Sequence, residues 1–224
     1  MTELKNVYPK IKSGSTMYYG GNQMLSADPG IRKCGCGIVA ALDVLLYLTR
    51  YGDSSSSDFL STAWSDVIII EEYDRLLQYL NRHFFHIVPP FGTNGLFLSI
   101  GMNLIFRRCR MPYHAAWGVR ESRLWDTMNS MLANDIPVVL AVGPNFPRFW
   151  RRDNVSFYSV SDDGDYRKST ETRAHFITVT GIESDWLRIS SWGQKLYINR
   201  AEFREYVRHS SNNYLSSILK IVHT

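Results

Sequence analysis

The chain is short of cysteine, of charge of one sign and of long apolar runs, and each shortage excludes a class of protein. Its 3 cysteines are an odd and small number for 224 residues, which argues against the disulfide framework of a secreted protein. The net charge of +4 is too small to indicate nucleic-acid binding by itself. No stretch approaches the roughly 20 apolar residues that span a bilayer, and residues 1–21 carry no apolar segment of a signal peptide. We therefore expect a cytoplasmic protein that does not enter membranes.

Two short basic segments, residues 107–110 and 148–152, leave two interpretations open. The second places Phe and Trp among arginines, a composition that single-stranded nucleic-acid sites use. The same composition suits a solvated loop that attracts an acidic or extended ligand, and this is the interpretation we adopt. The sequence has no Gly-rich phosphate loop and no dinucleotide fingerprint, and Cys34 and Cys36 lack the second ligand pair of a zinc site. We expect no nucleic-acid partner, no cofactor and no metal.

The most informative segment is Cys-Gly-Cys-Gly at residues 34–37, followed by an apolar run over residues 38–48. The run is rich in Ala and Leu and contains a single charge, Asp43, so it predicts a helix that is buried on all sides. A cysteine at the first turn of such a helix lies at the positive end of the helix dipole, which favours the nucleophilic thiolate. Cys34 and Cys36 also fit the bland interpretation of small buried hydrophobic residues.

The remaining pattern predicts an α+β fold of one domain over residues 1–224. Apolar residues at helical spacing predict three more helices in the first part of the chain, at residues 71–84, 93–108 and 121–133. Short apolar segments predict strands at residues 113–119, 137–143, 176–182, 186–190, 196–198 and 218–222, with one further helix at residues 201–208. The polar stretch at residues 145–172 is interpreted as a long loop that forms a wall of a cleft. Helices followed by a mostly antiparallel sheet give a helical lobe at about residues 30–135 and a sheet lobe at about residues 136–224.

A nucleophilic cysteine needs a base, and His175 is the histidine that the pattern favours. It begins the predicted strand at residues 176–182, where the sheet would hold its backbone rigid while its side chain faces a cleft. The next strand, at residues 186–190, is expected to pair with it in antiparallel fashion. That pairing would bring Ser190 back near His175.

Three motifs in chain order resemble those of papain-like cysteine proteases. A cysteine precedes a buried Ala-rich helix, a later histidine begins a strand, and Ser-Ser-Trp-Gly at residues 190–193 stands where that family has Asn-Ser-Trp-Gly. The chain is more similar still to the bacterial branch of double-glycine leader peptidases and their free-standing relatives, through residues 47–52, residues 132–139 and the strand that starts at His175. The resemblance covers most of residues 30–207 and implies a papain-like fold with the cysteine helix packed on the sheet.

The resemblance also implies which cysteine reacts. Tyr47 lies eleven positions after Cys36, which is similar to the spacing in the family. Cys36 is therefore the expected nucleophile and Cys34 the alternative. Its backbone N–H would be one donor to the oxyanion. The family's second donor is an amide shortly before the cysteine, and Gln23 is the candidate here, although it lies farther upstream than the family pattern.

The base and its partner follow from the same resemblance. His175 is the expected base, and Trp192 either shields it from water or is a core residue. Ser190 occupies the place of the Asn or Asp that orients the histidine, but a serine has a shorter reach and no charge. Another acid, Asp185 or Asp43, would be the alternative.

These expectations combine into a thiol-dependent hydrolase that cleaves a peptide or amide bond through an acyl-enzyme intermediate. An acyltransferase on the same scaffold is one alternative, because an amine can replace water in the second step. A catalytically silent module that binds a peptide in its cleft is the other. The expected partner is a peptide or amide substrate, and the sequence leaves the oligomeric state open.

Overall fold

A computed structural model describes residues 1–52, 60, 65–89, 92–146, 150 and 152–224. The basic segment at residues 148–152 lies largely outside these residues, which include only Trp150 and Arg152 of it.

The predicted helices are present with small shifts at their ends. The α-helices are α1 (Pro29–Cys34), α2 (Cys36–Tyr51), α3 (Ile70–His83), α4 (Gly95–Arg108), α5 (Glu121–Ala133) and α6 (Arg200–Ser210). Helix α1 is the one that the sequence pattern did not predict. It follows Asp28, whose side chain accepts hydrogen bonds from the first free N–H groups of the helix, and it is too short for an apolar period to show.

Twelve strands form two sheets in the described residues. They are β1 (Thr2–Glu3), β2 (Lys10–Ser13), β3 (Thr16–Tyr19), β4 (Val67–Ile69), β5 (Tyr113–Trp117), β6 (Val138–Val142), β7 (Val155–Val160), β8 (Tyr166–Thr172), β9 (His175–Glu183), β10 (Trp186–Ser191), β11 (Gln194–Asn199) and β12 (Ile218–His223). The main sheet has the order β5-β12-β6-β9-β10-β11-β7-β8, with β1 also paired to β9. Its pairs are antiparallel. A small second sheet has the order β3-β2-β4. The fold is therefore α+β, as predicted.

The stretch interpreted as a long polar loop, residues 145–172, contains a β-hairpin instead. Strands β7 and β8 pair from Val155 opposite Thr172 to Val160 opposite Tyr166. Val155 and Phe157 are buried and alternate with more exposed residues, so one face of β7 joins the core. The hairpin was missed because β8 is a mostly exposed, polar edge strand, and its composition hides the alternation in β7.

Helix α2 is the buried centre of the fold. All of its residues from Gly37 to Thr49 are buried, including Asp43, as the apolar run predicted. The helix packs against β9 and β6 on one side and against α3 and α4 on others. A helix enclosed in this way has a fixed position, so the residue at its N-terminus is held rigidly against the first residues of β9.

Segments from before residue 136 complete the main sheet. Strand β5 pairs with β12, and β1 pairs with β9. One apolar core joins side chains from both predicted lobes. In the described residues, no helix combines the length and apolar character needed to cross a membrane.

Candidate active site

Cys36 is the first residue of α2 because two helices meet there with one residue between them. Gly35 ends α1, and its N–H donates to the Ile31 carbonyl over 2.7 Å. A Cβ on Gly35 would lie 2.5 Å from that carbonyl oxygen, so the tight junction requires glycine. The junction leaves Cys36 partly exposed, whereas Cys34 is buried at the end of α1. Accessibility therefore favours Cys36 over Cys34 as the reactive thiol.

His175 begins β9 and faces the same space as Cys36. Both residues line a small pocket of about 10 Å³ on one side and a large cleft of about 470 Å³ on the other. The backbone N–H of Phe176 contacts the Cys36 thiol and works to lower its pKa. In the described residues no hydrogen bond joins Cys36 Sγ to the His175 ring, so the two groups share a site without being paired in it.

The side chain that contacts His175 is Ser191 rather than the predicted Ser190. His175 Nε2 lies 2.9 Å from Ser191 Oγ, while the Ser190 hydroxyl donates to the Tyr19 carbonyl over 2.8 Å. The expectation that Ser190 orients the histidine is therefore wrong in this geometry. Ser191 takes that position, and it brings no charge either.

A β-bulge explains this difference. Arg188 pairs with Gly181, but the next residue of β10 pairs with Val179, so Thr180 is left as an extra residue of β9. A one-residue shift moves every later side chain to the other face of the sheet. Ser190 then lies opposite Thr178, and the following Ser191 shares the face of His175. Without the bulge Ser190 would have been on that face.

Trp192 stacks on the His175 ring at 4.4 Å between centroids and 15° between planes. Phe157 lies on a neighbouring side, 6.5 Å from the imidazole centroid. The ring is thus enclosed by aromatic side chains, and only 8% of His175 is exposed. Trp192 is half-buried and covers one face of the imidazole.

Burial keeps both reactive groups neutral in the resting site. It lowers the pKa of His175 to about 3, because the charged imidazolium loses its hydration. It also raises the pKa of the Cys36 thiol, and this outweighs the favourable contact with the Phe176 N–H. The thiolate expected from the helix dipole is therefore not the resting form. Desolvation is stronger here than the fractional charge at a helix N-terminus.

Gln23 reaches the site although it is distant in sequence. It begins a 3₁₀ turn at Gln23–Leu25 and lines the small pocket together with Cys36 and His175. Its Nε2 donates to the Arg32 carbonyl over 2.9 Å. Helix α1 is inserted between Gln23 and Cys36, which explains the long spacing between the two in the sequence.

The two alternative acids lie in different places. Asp185 is exposed in the turn between β9 and β10, at the opposite end of these strands from His175, so it is not part of the site. Asp43 lines the small pocket with His175, but its carboxylate binds Tyr8, Tyr73 and the Gly21 N–H rather than the histidine. No pattern in the sequence predicts these three partners, although Gly21 belongs to the Tyr-Tyr-Gly-Gly at residues 18–21.

The large cleft beside Cys36 is apolar and carries no formal charge among its described residues. Its apolar side chains include Leu96, Trp117, Ala141, Pro144, Ala174, Phe176 and Leu215. The Trp117 indole N–H donates to the Tyr214 carbonyl over 3.0 Å, so its polar edge is satisfied. Its ring packs directly on Gly95, where a Cβ would overlap the indole. This arrangement suits an uncharged, apolar group of a ligand.

Comparison with known proteins leaves the family of the chain unassigned. No family model matches the sequence, and no curated protein matches it. Within the described residues, no three His, Cys, Asp or Glu side chains are grouped as metal ligands. The conclusion about function therefore rests on the chemistry of the site itself.

Proposed function

We propose that the protein is a thiol-dependent hydrolase with a papain-like fold that cleaves a peptide or amide bond. Cys36 is the nucleophile, His175 is the general base and then the general acid, and Ser191 orients the imidazole. One observation carries this proposal: Cys36, a partly exposed residue, and the enclosed imidazole of His175 both line one uncharged cleft. The sequence resemblance points to the same pair.

The orientation of the imidazole decides which nitrogen acts. With Nε2 bonded to Ser191 Oγ, Nδ1 is the nitrogen left to take the thiol proton. The neutral resting imidazole has the form that a general base requires. The proton then moves from Cys36 to His175 when a carbonyl lies beside the thiol.

The reaction takes two steps. Cys36 Sγ attacks the carbonyl carbon, its proton passes to His175, and the C=O electron pair moves onto the oxygen. When the C=O bond re-forms, the C–N bond breaks, and the proton on His175 leaves with the amine. Water then attacks the thioester with His175 as base, and the C–S bond breaks to release the acid and restore the thiol.

Two donors are available to the oxyanion that forms in each step. The backbone N–H of Cys36 is at the first position of α2, where N–H groups have no partner within the helix. The amide of Gln23 has a second N–H besides the one that binds the Arg32 carbonyl. Each such donor contributes about 10²–10³-fold to kcat in acyl transfer.

The cleft supports a peptide substrate with an apolar side chain beside the scissile bond. It has a volume of about 470 Å³ and is continuous with Cys36 and His175. An acidic or basic side chain would lose its hydration there without gaining an opposite charge among the described residues.

A catalytically silent peptide-binding module is the second candidate, and the neutral resting pair favours it. Burial raises the pKa of Cys36 and lowers the pKa of His175, and Ser191 provides no charge to stabilise an imidazolium. In this alternative the cleft holds a peptide and the thiol does not react.

Mass spectrometry of the intact protein separates these candidates. The protein is incubated with 4-nitrophenyl hexanoate and with peptidyl coumarin amides that carry an apolar residue next to the coumarin. We expect an acyl adduct on Cys36 that is absent in Cys36→Ala, retained in Cys34→Ala and formed at least 100-fold more slowly in His175→Ala. An added amine that captures the acyl group would identify a transferase. If the wild-type protein forms no adduct, or if Cys36→Ala still forms it, the hydrolase proposal is wrong.

A further inference from the structure

We infer that Asp43 is a positioning residue of the Cys36 site: its carboxylate, on the helix that carries the nucleophile, fixes residues 20–23 and with them the Gln23 amide at the oxyanion. The inference rests on the proposed function, because it concerns a group that stabilises the reaction at Cys36. Asp43 itself does not touch the reacting atoms.

Asp43 and Cys36 occupy the same face of α2, two helical turns apart. Both line the small pocket that also contains Gly21 and Gln23. The Gly21 N–H donates to both carboxylate oxygens of Asp43, at 3.0 and 3.2 Å. Helix α2 thus holds the nucleophile at one position and, through Asp43, the start of the Gln23 segment at another.

Close contacts on several sides hold residues 20–23 in one position. Gly20 has φ +75°, and a Cβ there would lie 2.6 Å from Asp43 Oδ2. A Cβ on Gly21 would overlap the Tyr73 hydroxyl, which itself donates to Asp43 over 2.7 Å. On the other side the Ser190 hydroxyl donates to the Tyr19 carbonyl. The segment can therefore approach Asp43 this closely only because residues 20 and 21 are glycines.

This contact is a costly way to stabilise a core. Asp43 is 2% exposed, and within the described residues no Lys or Arg forms an ion pair with it. Burial raises its pKa to about 6, although three donors favour the carboxylate. A neutral side chain would fill the same space without this cost. A carboxylate is useful at this position because it accepts hydrogen bonds from Gly21, Tyr8 and Tyr73 at the same time.

The groups that face Asp43 determine how it titrates. Tyr8 and Tyr73 donate to it. Burial raises the pKa of Tyr19, and the charge of Asp43 acts in the same direction. Cys36 and His175 share its pocket. None of these groups is positively charged near pH 6, because burial lowers the pKa of His175 to about 3. Protonation of Asp43 removes one accepting oxygen, so its hold on Gly21 weakens as the pH falls through about 6.

A double-mutant cycle on acylation by 4-nitrophenyl hexanoate tests the inference. We expect Gln23→Ala to lower kcat about 100-fold. Asp43→Asn, which keeps the shape of the side chain, should lower kcat about 10-fold with KM within about threefold, because misplacement of a donor affects the transition state. The double variant should be no slower than Gln23→Ala alone, since both changes disable the same group.

Asp74→Asn is the matched control. Asp74 is also a buried carboxylate, and it holds the continuation of the segment through the Ser26 hydroxyl and the Ala27 N–H. It does not line the pocket of Cys36. We expect Asp74→Asn to change kcat by less than about threefold, so loosening of this part of the chain would not by itself reproduce the effect of Asp43→Asn.

The pH profile gives a second readout. The kcat of the wild-type protein should fall below about pH 6 and approach that of Asp43→Asn, which lacks this inflection. Should Asp43→Asn fail to fold, Tyr73→Phe removes one donor to Asp43, and the cycle with Gln23→Ala is repeated with that variant. Additive effects in the cycle, or a kcat of Asp43→Asn within threefold of wild type, overturn the inference alone. Absence of any acyl adduct on wild-type Cys36 overturns the proposed function and the inference together.

Discussion

The two walls of the Cys36 site are built by different forces. The polar wall, residues 19–23, is held by hydrogen bonds from the Gly21 N–H to Asp43 of α2 and from the Ser190 hydroxyl to the Tyr19 carbonyl. In the apolar wall, formed by Gly95, Leu96, Trp117 and Phe176, side chains pack together and the Trp117 ring lies directly on Gly95. Each wall contains a glycine that allows a neighbouring group to approach closely. In the polar wall that neighbour is the hydrogen-bond network around Asp43, and in the apolar wall it is the Trp117 indole.

This difference indicates that the two walls have different roles in the reaction. Hydrogen bonds have narrow geometry, so the polar wall fixes atoms to the precision that charge stabilisation in a transition state needs. Packing of apolar groups is not directional, so the apolar wall selects a substrate by size and hydrophobicity. We therefore expect changes in the polar wall to affect kcat and changes in the apolar wall to affect KM.

The largest expected effect comes from Gly21→Ala in the polar wall. The new Cβ overlaps the Tyr73 hydroxyl, so the segment must shift and carry Gln23 with it. We expect kcat on 4-nitrophenyl hexanoate to fall about 100-fold and the free energy of unfolding to fall by about 1–3 kcal/mol.

Gly95→Ala is the counterpart in the apolar wall. Its Cβ overlaps the Trp117 indole, and overpacking should cost a similar 1–3 kcal/mol of stability. Turnover of the small ester should stay within about threefold of wild type. If Gly95→Ala lowers kcat on this ester as much as Gly21→Ala does, the division between the two walls is wrong.

The next effect concerns stability against pH and contrasts Asp43 with His175. Asp43 has a folded pKa of about 6, above the value of 3.8 for a free side chain, so the folded protein binds its proton first and gains stability on acidification from pH 6.5 to 4.5. His175 has a folded pKa of about 3, below 6.5, so the unfolded chain binds that proton first and stability is lost. Each effect amounts to about 2 kcal/mol over this interval.

Urea unfolding at pH 6.5 and 4.5 measures both effects. Relative to wild type, His175→Gln should gain about 2 kcal/mol on acidification, and Asp43→Asn should lose about 2 kcal/mol. Other titrating groups are common to the three proteins and cancel in the comparison. Equal pH dependence in all three proteins would mean that these two side chains are not buried as described.

A smaller effect is expected when the apolar wall loses its largest side chain. Trp117→Ala removes an indole from the cleft, and its packing against Phe176, 5.9 Å away between centroids, is also lost. We expect KM for a peptidyl coumarin amide with an apolar residue to rise about 10-fold, which corresponds to about 1.4 kcal/mol of binding. Hydrolysis of a peptide with alanine at that position should change less. A uniform loss on both peptides would contradict selection by this wall.

The sequence predicted what depends on local pattern. The apolar run after Cys36 indicated a helix buried on all sides, and α2 is such a helix. A histidine at the start of a strand was expected to face a cleft, and His175 lines one. These features follow from side-chain period and burial, which adjacent residues determine by themselves.

The site details that depend on register could not be predicted in the same way. The bulge in β9 exchanges Ser190 for Ser191 as the neighbour of His175, and a single extra residue leaves no mark in the apolar pattern. Gln23 and Cys36 line the same pocket because the chain between them folds into a 3₁₀ turn and α1. The contact of Asp43 with Gly21 joins segments 22 residues apart, and no helical or strand period relates residues at that separation.

The smallest effect tests the exchange between the two serines. Ser191→Ala removes the hydroxyl at His175 Nε2, and loss of one hydrogen bond of about 1 kcal/mol should lower kcat about fivefold. The ¹⁵N signal of His175 Nε2 should shift in this variant, because its hydrogen-bond partner is gone. Ser190→Ala removes a bond to the Tyr19 carbonyl in the polar wall, so it should lower stability by a similar amount and leave the imidazole signal unchanged. If the signal shifts in Ser190→Ala and not in Ser191→Ala, then Ser190 is the neighbour of His175, and β9 and β10 pair without the bulge at Thr180.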